Sequence, residues 1–115
     1  MKIALIASNY APLVPETKKG TEIFVYDFIR LLSLQLAHTN SELTVFCSDD
    51  SKLRVPIETV DSGASMFAAD LPHGKHIIFE LALIGKAFQM EDRFDLYHAH
   101  IGNGDIVLPF VPMVQ

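Results

Sequence analysis

The chain has 115 residues, a length that predicts one domain or part of one, and half of those residues are hydrophobic, which excludes a disordered chain and implies a buried core. A formal charge of -5 leaves no basic stripe for displacing counterions from nucleic-acid phosphates, and the Lys18-Lys19 pair is too small to reverse that. Cys47 is the single cysteine, so no internal disulfide can form and a reducing, cytoplasmic compartment is expected.

The first element is the apolar run Ile3 to Ala7, bounded by Ser8-Asn9, which predicts a strand buried on both faces. It is too short for a signal-peptide core of roughly 7–15 residues. Asn9 to Lys19 is a loop, because Pro12 and Pro15 block helix. Thr21 is the expected N-cap of a helix running to about Leu36, with Glu22 in the first turn favoured by the helix dipole. Val25, Phe28, Ile29, Leu32 and Leu36 form its apolar face, and Glu22, Tyr26, Arg30 and Ser33 the opposite, polar stripe. Leu43 to Cys47 is a second strand, closed by Ser48-Asp49-Asp50-Ser51. The β-α-β order predicts a parallel pair with a right-handed crossover.

Val55 to Val60 predicts a short third strand, which Pro56 confines to an edge or a twisted segment. Asp61 to Gly74 is expected as loop. A helix follows from His76 to about Met90, with Ile77, Leu81, Ile84 and Phe88 on one face. Phe94 to His100 is the fourth strand. Gly102-Asn103-Gly104 is a turn, and Asp105 caps a last apolar helix broken at Pro109 and Pro112. That stretch, Ile106 to Val114, is shorter than the about 20 residues a membrane span needs. The expected fold class is α/β, a Rossmann-like open and mainly parallel sheet with flanking helices. The first strand should be central, between the second and the fourth. A last helix without a strand to receive it makes the chain an incomplete domain on this reading.

Two groups of residues carry chemistry. Gly20 follows the first strand and opens a helix, where backbone N–H groups and the dipole favour an anion. The three-glycine dinucleotide fingerprint is missing, which disfavours a dehydrogenase. Gly20 is then either a single phosphate or sugar contact or simply a tight turn into the helix. Phe94, Leu96, His98 and His100 should share one strand face. The histidine pair can orient a sugar hydroxyl, move a proton, bind metal, or be structural. Zinc needs a third and usually a fourth ligand, and His38, His73 and His76 have no companion spacing. Asp49 and Asp50 read as a solvated turn and Cys47 as a small core residue.

Taken in order, Met1 to Ala7, the proline-containing loop, Lys19-Gly20-Thr21-Glu22, the helix through Leu36, Leu43 to Phe46 and Phe94 to His100 resemble the N-terminal half of a family-4 retaining glycosyltransferase of GT-B fold. Such enzymes place the active site between two Rossmann-like domains. The N-terminal one chiefly holds the acceptor and the C-terminal one most of the nucleotide-sugar.

The resemblance implies that residues 1–115 are the acceptor-side domain, lacking its last strands and the C-terminal donor domain. It implies transfer of a sugar from a nucleotide-sugar donor to an acceptor with retention, without a cofactor or bound metal. Gly20 matches the second glycine of the family's Gly-Gly-x-Glu loop and Glu22 its acid, whereas Lys19 stands where the first glycine is usual. Donor-phosphate contacts are implied at Lys19 and Gly20. Substrate contacts are implied at Gly20, Glu22, His98, His100 and Asn103, and the catalytic residues fall outside this chain. The alternative is a stand-alone nucleotide- or sugar-phosphate-binding module without catalysis.

Overall fold

The computed structural model describes residues 1–16, 20–60, 63–67 and 75–100. Four strands, β1 (Lys2–Ile6), β2 (Glu42–Phe46), β3 (Ile57–Glu58) and β4 (Leu96–Ala99), form one all-parallel sheet in the order β3-β2-β1-β4. Helix α1 (Gly20–Leu36) connects β1 to β2, and α2 (Ile77–Gln89) lies between β3 and β4. The fold is therefore an α/β open, Rossmann-like arrangement, with β1 between β2 and β4 as its sequence predicts.

The two helices cover opposite faces, which explains why β1 is apolar at every position from Ile3 onward. Ile3, Leu5 and Ala7, with Leu43, Val45 and Cys47 from β2 and its end, pack against Val25 and Ile29 of α1. Ala4, Ile6 and Phe46 point the other way, onto Leu83, Ile84, Ala87 and Phe88 of α2. A strand sandwiched in this way has no face for polar residues. Strand β3 is two residues long and sits at the edge. Pro56, just before it, has no N–H to donate, but its carbonyl accepts from Val45 N at 3.0 Å.

Three features of the helices differ from the sequence expectation. Helix α1 begins at Gly20, so Thr21 lies inside the first turn and is not the N-cap. Glu22 is buried and so leaves the polar stripe on which its spacing put it. In α2 the inward stripe is Glu80, Leu83, Ile84, Ala87 and Phe88, whereas Ile77 and Leu81 are each 37% exposed. That helix is apolar on nearly every side, so two overlapping stripes satisfy helical spacing and the sheet selects one. Asp61 to Gly74, expected as loop, contains a 3-10 turn at Ser65–Phe67 among its described residues.

The edge strand β4 is tied to β1 by its backbone and to α2 by a side chain. Asp95 N donates to Lys2 O at 2.7 Å, and His100 N donates to Ile6 O at 2.8 Å. Tyr97 Oη donates to Ala87 O at 2.9 Å, and its ring stacks on Phe88. Phe94 precedes the strand, as the cap of a 3-10 turn (Glu91–Arg93), and packs with Phe46 and Tyr97 on the α2 side. It therefore does not share the face of Leu96, His98 and His100. Alternation holds only inside a strand, and the chain changes conformation between Phe94 and Leu96. On the other flank of α2, Lys86 Nζ donates to Thr59 O and pairs with Glu58 at 3.1 Å, fixing the helix to the edge strand.

Truncation of Leu83, which is fully buried on the α2 face, should cost about 2–5 kcal/mol. Leu34→Ala, at a side chain 59% exposed on α1, should stay within about 0.5 kcal/mol of wild type. Urea denaturation of the two variants checks this, and equal losses would contradict the packing described.

Candidate functional site

Parallel strands bring their C-terminal ends to one rim, and the loop that leaves β1 starts there. Ser8, Asn9 and Tyr10 open that loop, and a carboxylate from the first turn of α2 holds it. Ser8 Oγ and Asn9 N both donate to Glu80 Oε1 at 2.8 Å, and Tyr10 N donates to Ser8 Oγ at 2.9 Å. Asn9 is completely buried, and its backbone carbonyl accepts from Ser65 N at 2.9 Å. The loop is thus fastened to α2 on one side and to the Ser65–Phe67 turn on the other.

Burial raises the Glu80 carboxyl above its ordinary range. The bonds from Ser8, Asn9 and Tyr10 oppose that shift, and the nearby charge of Glu22 adds to it. Glu22 is delivered by the first turn of α1, so two buried carboxylates from different helices act on each other. Glu80 Oε2 and Asn9 Oδ1 are both buried without a hydrogen-bond partner among the described residues. A proton on Oε2, the oxygen that accepts nothing, relieves the charge without disturbing the bonds to Oε1.

The histidines stand at the end of β4, the strand beside β1. His98 and His100 project from the same face of β4 with ring centroids 4.5 Å apart. The His98 ring stacks on Phe28 of α1 at 5.3 Å and 15°, while His100 lies 5.5 Å from Phe24 and 5.3 Å from Phe28. Burial, then the neighbouring His98, lowers the His100 pKa below the usual histidine value, so its imidazole is neutral at pH 7. His98 Nε2 is buried without a partner among the described residues. Gly20, one helical turn before Phe24, opens α1 at the same rim, and a Cβ there would meet no atom of the described residues within 4 Å.

Gly20, Glu22, His98 and His100 therefore belong to one rim, where Glu80 holds the β1 loop. Lys19, Asn103 and Asp105, with the apolar stretch Ile106 to Val114, lie outside the described residues. Among the described residues, no three histidine, cysteine or acidic side chains come together so as to hold a metal ion. Nor is any helix long and apolar enough to cross a membrane.

Residue spacing did not mark Glu80. Its only sequence signal is being the sole charged residue in the stretch Ile77 to Gly85. Asp49 is exposed, as a solvated turn requires. Asp50 is structural, accepting from Ser48 Oγ at 2.6 Å and from Ala64 N at 3.0 Å. Cys47 is fully buried, and burial pushes its thiol up to about 11, so it is an inert core residue.

No protein-family model matches this chain, and no curated protein matches it either.

Glu80 gives a pH prediction with a definite sign. Its folded pKa is raised above the ordinary 4.5, so the folded state keeps the proton that the unfolded chain releases. Stability from this group is full below about pH 4.5 and is lost as pH rises through the folded value. Glu80→Gln retains an oxygen for Ser8 and Asn9, so its stability relative to wild type should improve as pH rises from about 4.5 through the folded value. Glu80→Leu orphans those donors and should cost about 1–3 kcal/mol throughout. Urea midpoints across that range test both, and a difference between Gln variant and wild type that does not change with pH would contradict the assignment.

Proposed function

We propose that this chain is the acceptor-side part of a retaining glycosyltransferase of GT-B fold. The carrying observation is the rim itself. It joins a helix N-terminus opening at Gly20, a neutral imidazole at His100 resting on the Phe24 and Phe28 rings, and a β1 loop held by Glu80.

Each part has a task in sugar transfer. Imidazoles donate and accept hydrogen bonds, which suits hydroxyl recognition, and flat aromatic rings offer an apolar surface to the C–H face of a sugar. The Gly20 amide and its neighbours favour the negative charge that grows on a departing diphosphate. A second domain, in the intact enzyme, supplies the nucleotide pocket and the catalytic group. The competing reading is a free-standing binding module for a nucleotide or sugar phosphate. It draws on the same open helix N-terminus.

Two experiments separate these readings. The full reading frame containing this chain should transfer sugar from one member of a nucleotide-sugar panel, with the anomeric configuration retained. The 115-residue chain alone should show no turnover, while polyol acceptors shift its His98 and His100 imidazole resonances. Tight nucleoside diphosphate binding without turnover in either form would instead identify a binding module. Absence of both binding and turnover would remove both readings.

Gly20→Ala gives a sharper check on the loop. Alanine is the better helix former and nothing crowds its Cβ, so stability should hold or rise by up to about 1 kcal/mol. Nucleoside diphosphate affinity should nevertheless fall about tenfold, because the methyl group occupies the space the phosphate approaches. Unchanged affinity in isothermal titration would assign Gly20 to the turn alone.

A further inference from the structure

A second concave surface lies away from the rim, on the outer flank of α1. Its origin is topological. Parallel strands are usually joined by a crossover of a dozen or more residues containing a helix. Here residues 47–56 link β2 to β3 without one. The segment is clipped inward instead, with Lys52 N donating to Leu13 O at 2.9 Å and Leu13 N donating to Ser51 Oγ at 2.9 Å. Leu53, Arg54 and Val55 then pass beside α1 with nothing laid over the gap among the described residues.

The gap is a groove of about 280 Å³ between α1 and residues 53–55. Ile29, Leu53 and Val55 give it an apolar floor, and Arg30 and Arg54 stand on its opposite walls. It runs on into a further 400 Å³ space that shares Ser33, Arg54 and Val55 and continues to Leu36 and Pro56. The combined space falls in the range of small-molecule sites. The charges are unevenly placed. Among the described residues no carboxylate lines the Arg30–Arg54 part and no acid pairs with Arg54. Arg30 has only a 3.9 Å contact with Asp27, both side chains being more than half exposed, and such a pair holds its partner weakly. Glu42 lines the far part, which disfavours an anion there.

From this arrangement we infer a binding site for a small amphipathic anion. Its phosphate or carboxylate head sits between the Arg30 and Arg54 guanidiniums, and its apolar body lies along Ile29, Leu53 and Val55 toward Leu36 and Pro56. Guanidinium forks match such heads bidentately. In a chain of net charge -5, two facing arginines over an apolar floor are a local exception that bulk charge does not produce. The inference does not depend on the glycosyltransferase reading, because the rim and the groove share none of the residues that define them.

Octyl phosphate is the probe, titrated into the 15N-labelled chain and followed by amide shifts. It should saturate with a Kd of about 1 mM or tighter, which is the yield expected of a ligand with so few atoms. The shifts should centre on residues 29–34 and 53–55. Arg54→Gln and Arg30→Gln, both at exposed positions, should each weaken binding about tenfold while leaving the amide spectrum folded. Octanol and inorganic phosphate should each bind at least tenfold more weakly than octyl phosphate. Octanoate replacing octyl phosphate with similar affinity would show that any anionic head suffices. A much weaker octanoate would show that the head must be phosphate. Lack of saturation at 10 mM would overturn the inference. So would equal binding of octanol, unchanged affinity in the double arginine variant, or shifts centred on His98 and His100.

Discussion

A five-residue strand with no face toward water constrains everything else in this fold. Because β1 is buried by α1 on one side and α2 on the other, its two alternating sets of side chains each nucleate a separate core. Ala4, Leu5 and Ile6 have no exposed surface at all. Each backbone edge of β1 is in turn satisfied by a parallel neighbour. The direction of β1 therefore fixes the direction of β2 and β4, and with it the end of the sheet at which Ser8, Gly20 and His100 meet. The geometry of the rim therefore depends on packing several residues away.

The rim itself is an electrostatic compromise. Glu80 fastens a buried polar loop to α2, yet a carboxylate in that position is costly when ionised, and Glu22 from α1 adds a second negative charge nearby. A more stable loop clasp could be built from neutral groups. With a proton on Oε2 the acid keeps its grip on Ser8 and Asn9 and sheds the charge that burial penalises. His100 works in the opposite sense, since burial keeps its imidazole neutral. One rim thus holds a carboxyl inclined to keep its proton and an imidazole inclined to lose one, the pairing from which acid and base roles are commonly drawn.

Much of the fold was legible because its signals are local and redundant. The uninterrupted apolar run of β1, the β-formers of β2 and the prolines of the first loop each admit one interpretation. Pro56 announced the edge position of β3. The misread elements share a different cause. Helix α2 carries apolar residues all round, so sequence spacing alone could not choose between the Ile77 and Glu80 stripes, and only the sheet's position decides. Glu22 has the spacing of a surface residue but is buried, near enough to Glu80 of α2 for its charge to act there. Phe94 was assigned to the histidine face by alternation extended one step beyond the strand. In each case the missing information was tertiary. The histidine pair was visible from its i, i+2 spacing, whereas its stacking on Phe24 and Phe28 joins residues about seventy positions apart.

Helix α1 is where these threads meet, since its three flanks serve three ends. Val25 and Ile29 point down into the core, Phe24 and Phe28 support the imidazoles toward β4, and Tyr26, Arg30 and Ser33 turn toward the open groove beside residues 53–55. Residues at i and i+4 lie one turn apart on the same flank, so each task occupies its own stripe and a surface change on one leaves the others in place. Ile29 serves two of them, because it is 2% exposed yet also forms part of the groove floor. Its side chain touches core on one side and groove on the other. Any rearrangement of α1 against β1 and β2 would therefore reach both the rim and the groove, whereas changes at Arg30 or His100 would stay local.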